Sequence, residues 1–232
     1  MTHYQLLIKF PSRERPAKFF EYLLNLLGKL EDRENYLVIC SFDLNDTTMN
    51  NPGTIARLEA LKTEWHIEWH FGHSKNKVAA INRDMPRSGW DILFSCSDDM
   101  WCEKQGWDNE LRRQFEAHYP DTDGFFHFWD GDGSTRNTGR GLCTYSIMGN
   151  RYYNRFRYIY HPHYNSLWCD NEATEVAQML CKYTYVDEVL FRHVHFSNNP
   201  SLTPDALMQK TQAFFNRDRE TFENRKRKNF RY

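Results

Sequence analysis

A chain of 232 residues with a formal net charge of -1 can bury one substantial core, and it lacks the basic excess that a nucleic-acid-binding domain carries. No apolar run approaches the roughly 18 residues that span a bilayer, and the N-terminus MTHYQLLIKF lacks the basic-then-apolar order of a secretory signal, so a cytoplasmic protein without an integral membrane segment is expected. The six cysteines show no paired close spacing, which excludes a cysteine zinc site or a disulfide framework as the basis of the fold.

In chain order, residues 4 to 10 (YQLLIKF) read as a buried strand stopped at Pro11. Phe20, Leu23, Leu24 and Leu27 recur at helical spacing from Ala17 to Lys29, with Pro16 suited to the first turn. Residues 36 to 42 (YLVICSF) form a second strand, ending in the polar cluster Asp43 to Thr48. Asn51 and Pro52 open a helix carrying Ile55, Leu58 and Leu61, and His66 to Phe71 alternates as a third strand. Asn76 to Met85 is a helix, and Asp91 to Cys96 a fourth strand. This alternation predicts an α/β domain with a mostly parallel central sheet flanked by helices, and ligands at the carboxyl ends of its strands.

The second half is less regular. It reads as a helix over Gln105 to His118, a strand over Gly124 to Trp129, a Gly-rich loop from Asp130 to Gly141, a strand over Leu142 to Met148, and a helix over Glu172 to Cys181. A last helix runs from Thr203 to about Arg225 and ends in the basic tail RKRKNFRY. No linker splits the chain, so residues 1 to 202 are expected to form one domain, with residues 203 to 232 as a helix and tail packed on it or trailing from it. The tail also offers a contact for an anionic membrane surface.

Asp98 and Asp99 directly follow the apolar run DILFSC, which places two carboxylates at a strand end. Adjacent carboxylates repel unless a cation joins them, and a divalent metal that keeps open positions also binds diphosphate oxygens. His193 and His195 lie two apart in an extended stretch and so face the same way. Imidazole beside carboxylate favours Mn²⁺ over Mg²⁺. An acidic turn and half-buried surface histidines are the plainer alternatives.

These segments together resemble the GT-A glycosyltransferases, especially glycosyltransferase family 2, over about residues 4 to 200. FPSRERP resembles the family's first donor-binding loop, SFDLNDTT its acidic loop, SKNKVAAIN its helix opening near the nucleotide, and CSDDM its D-x-D metal motif. GWD resembles the turn after that motif, LWCDNEATEVA the segment that supplies the catalytic base, and the H-x-H the late metal histidine. Two departures stand out: Ser97 occupies the first D-x-D position, and Cys169-Asp170-Asn171-Glu172 replaces the usual Glu-Asp pair.

The resemblance implies a metal-dependent enzyme that moves a sugar from a nucleotide-sugar donor, a UDP-sugar above others, to a hydroxyl on a glycan, a lipid-linked sugar or, less favoured, a modified nucleic acid. Asp98, Asp99, His195 and His193 would hold the metal. Pro11, Ser12, Arg13, Asp43, Asp46, Lys77 and Asp98 would meet the donor, with Arg13 and Lys77 near phosphates and Asp43 near ribose or base. Asp170 or Glu172 would be the base of an inverting displacement, Asp170 being equally placed to cap a helix. Trp101, Trp129 and Trp168 would stack on sugar or acceptor, and the loop DGDGSTRNTGRG would close over the donor. A sugar-phosphate nucleotidyltransferase and a non-catalytic nucleotide- or glycan-binding module are the alternatives.

Overall fold

The computed structural model describes residues 2–131, 141–194, 203 and 205–231. Its first half alternates strands and helices: β1 (Tyr4–Pro11), α1 (Pro16–Gly28), β2 (Tyr36–Asp43), α2 (Pro52–Lys62), β3 (Ile67–Gly72), α3 (Lys77–Asn82) and β4 (Trp90–Ser95). There follow β5 (Met100–Cys102), α4 (Trp107–His118), β6 (Phe125–Phe128), β7 (Ile147–Gly149), α5 (Asn150–Tyr153), α6 (Cys169–Met179), β8 (Tyr183–Val186), β9 (Phe191–His193), α7 (Ala206–Gln212) and α8 (Phe215–Lys226).

Seven strands form one sheet in the order β3-β2-β1-β4-β7-β6-β8. The β1, β2, β3 and β4 pairings are parallel, as is β6 with β8, while β7 runs antiparallel to both β4 and β6. β5 and β9 make a separate antiparallel ribbon. The expected mostly parallel sheet flanked by helices is therefore the observed one.

Strand periodicity explains the two layers of core. Leu6, Ile8 and Phe10 of β1 join Val38, Cys40 and Phe42 of β2 against α1, α2 and α4, while Leu7, Leu37, Ile39 and Leu93 face the side of α3, α6 and α8. On that second face the pattern turns polar toward the carboxyl ends of the strands: Leu7 is followed by Lys9, Ile39 by Ser41 and Asp43, and Leu93 by Ser95. All four of these polar residues are buried. The sheet thus carries a polar strip directly beneath the edge where ligands bind in such folds.

The GWD turn is structural. Gly106 sits at φ 70, a left-handed conformation that glycine adopts without penalty, and its N–H donates to Lys29 O at 2.9 Å. Asp108 is fully buried and accepts the amides of Glu31 and Asp32, both at 3.0 Å, and Arg112 Nη1 at 2.6 Å. Asp108→Ala leaves two amides and a guanidinium without their acceptor, so a loss of about 3 kcal/mol is expected, read as a lower urea midpoint with an unchanged m-value.

Three expectations differ from the structure. The strand over 142 to 148 contracts to β7, because Cys143 N turns to Thr174 Oγ1 (3.3 Å) and Thr144 Oγ1 to Asp130 (3.0 Å) instead of to a neighbouring strand. The last helix is two. α7 follows the loop after β1, through Arg15–Asp205 and Lys210–Glu14, whereas α8 follows α6, through Arg225–Glu172 and Lys226–Glu175. The tail is also partly structural: Arg225 and Lys226 are ion-paired there, and Phe230 is buried. Of the Gly-rich loop, residues 132–140 lie outside the described residues.

Candidate functional site

Loops at the carboxyl ends of β1, β2 and β4 meet along one edge. The loop after β1 lies between the other two. Ser12 N donates to Ser41 O (3.2 Å), Ser12 Oγ donates to Asp98 Oδ2 (2.8 Å), and Glu14 N donates to Asp46 Oδ2 (2.7 Å). Arg13 Nη1 donates to Asp43 Oδ2 at 2.5 Å, and Arg15 joins Asp98 (2.9 Å) to Asp205 (2.7 Å). Pro11 closes β1 and pairs in register with Ser41. Ser12, Arg13, Asp43, Asp46 and Asp98 are therefore brought together. Asp46 is occupied within its own loop, accepting Thr48 N (3.0 Å) and Thr48 Oγ1 (2.7 Å). Asp43 Oδ1 differs: it is buried and has no hydrogen bond among the described residues, with Arg83 Nη1 at an ion-pair distance of 3.6 Å, and a buried acceptor of this kind can take a donor from a ligand.

The two adjacent carboxylates have different surroundings. Burial and the neighbouring Asp99 charge push the Asp98 carboxyl above its ordinary value, against Arg15 and Ser12. Burial acts the same way on Asp99, but there His193, Lys77 and the Ser97 hydroxyl win and hold it well below the usual carboxylate range. His193 Nε2 stands 3.6 Å from Asp99 Oδ2, an ion-pair separation longer than a formed hydrogen bond. Burial opposes a charge on His193, but Asp99 and Asp130 raise its pKa. The ribbon fixes this pair: Val194 N donates to Asp99 O (2.7 Å), and His193 N donates to Asp130 O (3.0 Å).

Asp99 and His193 point at one another, and a divalent ion with bonds of about 2.1 Å fits between donors at this spacing. Among the described residues no group of three or more His, Cys, Asp or Glu side chains is arranged to hold an ion. Hard cations that keep waters and substrate phosphates take as few as one or two protein carboxylates, and Asp99 offers one beside the His193 imidazole. Asp98 is turned instead to Arg15 and Ser12, and His195 lies outside the described residues.

Opposite this pair, α3 and α6 supply a cation and a carboxylate. Asn76 caps α3 by accepting Ala79 N (2.8 Å), which leaves Lys77 exposed in the first turn with its charge reaching Asp99, His193 and Asp170. Asp170, in the first turn of α6, accepts Asn171 N (3.0 Å). Burial pushes its carboxyl up, against that amide and Lys77. Glu172 points the other way. It is buried in a two-pronged ion pair with Arg225 (2.6 and 2.8 Å) and accepts Tyr164 OH (2.8 Å).

The three tryptophans part company. Trp129 leads into Asp130 at the site. Trp101 shares its face of the ribbon with Arg192, opposite to His193, and stands edge-on to Tyr22 of α1 with ring centroids 5.4 Å apart. Trp168, at φ 63, packs on Phe215 and Phe222 at 5.6 and 5.3 Å. Sequence reasoning named neither Arg15, Arg83, Asp130 nor Thr144 as a site residue; Arg15 carried a signal in its strand-end loop and Asp130 in the Gly-rich loop expected to close over the donor, whereas Arg83 and Thr144 carried none.

No protein-family model and no curated protein sequence matches the chain. Among solved structures it is similar to S. aureus TarS 1-349, at 10% identity and a TM-score of 0.63 over 84% of this chain and 61% of that one. It is equally similar to the mannosyltransferase PcManGT from Pyrobaculum calidifontis in complex with GDP-Man and Mn²⁺, at 10% identity and TM-score 0.63 over 82% and 56%. TarS 1-349 in complex with UDP-GlcNAc matches at 11% identity and TM-score 0.63 over 81% and 58%. At this identity the likeness establishes the fold, a GT-A-like glycosyltransferase fold. The chain spans 56 to 61% of the length of these structures.

Proposed function

We propose that this chain is an enzyme that transfers a sugar from a nucleotide-sugar donor to a hydroxyl acceptor. The observation that carries the reading is the convergence of Asp99, His193, Lys77 and Asp170 at the carboxyl ends of a GT-A-like sheet. The known folds it resembles include structures holding UDP-GlcNAc and GDP-Man.

Asp43 Oδ1 would accept an N–H of the donor's base, which suits a UDP-sugar, while Arg13 and Lys77 meet phosphate oxygens. Asp170 would take the proton of the acceptor hydroxyl as it attacks the anomeric carbon from the face opposite the leaving nucleoside diphosphate, inverting that centre. A divalent cation held by Asp99 and His193, Mn²⁺ favoured over Mg²⁺, would supply positive charge where the diphosphate gathers negative charge. Trp129 offers a ring for the sugar or acceptor. A glycan or lipid-linked sugar is the favoured acceptor and a modified nucleic acid the less favoured one. The protein would act in the cytoplasm, in solution or at a membrane surface; no helix among the described residues is long and apolar enough to cross a membrane.

Nucleotidyl transfer fits less well, because the loop from Pro11 to Arg15 contains no glycine to wrap a phosphate chain. A thermal-shift series with UDP-sugars and GDP-sugars, with and without Mn²⁺, tests the proposal. A donor at 100 times its dissociation constant stabilises by about 2.7 kcal/mol, and the Mn²⁺-dependent part of the shift should vanish in Asp99→Ala. The absence of a shift with every donor, or turnover that releases pyrophosphate in place of nucleoside diphosphate, refutes it.

A further inference from the structure

A line of polar groups runs under the Asp43 end of the site, on the strip where strand faces turn from apolar to polar. It starts at Lys9, whose ammonium is buried in the central strand and donates to Ser41 Oγ. Ser41 Oγ donates in turn to Asp84 Oδ2 at 2.6 Å, and Arg83 Nε donates to the same oxygen at 2.9 Å. Arg83 is tied down further: Nη1 donates to Ser74 Oγ and Nη2 to Phe42 O, both at 2.8 Å.

The guanidinium lies flat against the end of β3. A Cβ on Gly72 would stand 2.9 Å from it, so this approach needs glycine there. From that bed Arg83 Nη1 stands 3.6 Å from Asp43 Oδ1, the buried acceptor without a hydrogen-bond partner among the described residues, while Arg13 holds Oδ2. Asp84 makes the arrangement possible by taking a left-handed turn at φ 62, which aspartate tolerates better than most residues.

We propose that Arg83, bedded on Gly72 and anchored by Asp84 and Ser74, is a positioning residue that aims Asp43 Oδ1 at a ring N–H of the donor's base. This rests on the donor reading given above. The nitrogens of Arg83 are already engaged with Asp84, Ser74 and Phe42, so it acts through the carboxylate and not as a donor to the ligand. Uracil and guanine both present a ring N–H on their pairing edge; cytosine presents a bare ring nitrogen there, which repels a carboxylate oxygen. Base discrimination therefore depends on where Oδ1 is held, as second contacts set the precision of any polar site.

The test is calorimetric titration of the full chain with UDP, GDP and CDP. Wild type should bind UDP or GDP at least about tenfold more tightly than CDP, the equivalent of one hydrogen bond gained against one acceptor left unpaired. In Arg83→Gln and Gly72→Ala that ratio should fall to within about threefold, with CDP affinity unchanged, a selective loss that general destabilisation does not produce. Ser74→Ala removes one half-buried anchor of Arg83 and should lower the ratio in the same direction; it decides the matter if the other two variants fail to fold. An unchanged ratio in folded variants overturns the role of Arg83 alone. If wild type binds UDP, GDP and CDP equally, the role of Asp43 falls with it, and if it binds none of them the donor reading itself fails.

Discussion

Asp170→Asn is expected to lower kcat by about 10² to 10⁴-fold, the range a positioned general base contributes, while leaving donor affinity unchanged. An alcohol must lose its proton as it attacks, and among the site's carboxylates Asp170 is the one held by backbone amides at its own helix start. Asp98 is bound by Arg15 and Ser12, and Asp99 faces His193. Burial places Asp170's titration above the usual aspartate range. Only the ionised form accepts a proton, so turnover should fall as pH drops through that raised pKa, and the acid limb should disappear in Asp170→Asn. Donor titrations alongside pH-rate profiles check both parts; a variant with wild-type kcat would remove Asp170 from the chemistry.

Glu172→Ala should do the opposite, costing stability and sparing turnover at permissive temperature. Its carboxylate is 3% exposed, grips Arg225 with both oxygens and accepts from Tyr164. Removing one partner of a buried ion pair leaves the other charge without compensation, at about 3 to 5 kcal/mol. For a chain of this size that lowers Tm by roughly 10 °C. Because Arg225 lies in α8, hydrogen exchange should rise first along α8 if the pair is what holds it to α6. A Tm within a degree or two of wild type would show that the pair contributes little. The two acids lie only two residues apart, but helical geometry sends them to different sides of α6, one toward Lys77 and the other toward α8.

Much of the architecture was legible along the chain. The periods of YQLLIKF, YLVICSF and DILFSC, set between helical repeats, predict β1, β2, β4 and their parallel pairing. Strands whose hydrogen bonds depend on distant partners were harder to see. β5 is three residues long and exists because it pairs with β9, the stretch the sequence does show as extended, and β8 was missed although Tyr183, Thr184, Tyr185 and Val186 have strand composition. The single terminal helix became two because α7 and α8 pack against different parts of the domain.

At the site, local sequence determined which chemical groups stand at strand ends: Ser12, Arg13, Asp43, Asp98 and Asp99 occupy the first positions after apolar runs, where the backbone leaves the sheet. Tertiary structure decided which of those groups are already engaged. Asp98 meets an arginine 83 residues earlier, and Glu172 one 53 residues later. Among the described residues Asp43 Oδ1 has no hydrogen bond, because Arg83, 40 residues on in the chain, directs its hydrogen bonds to Asp84, Ser74 and Phe42 and stands 3.6 Å away. Periodicity is a property of neighbouring residues and can be read along a chain. Charge compensation of a buried carboxylate depends on whichever cation the fold carries to within a few ångströms, and sequence separation does not encode that distance.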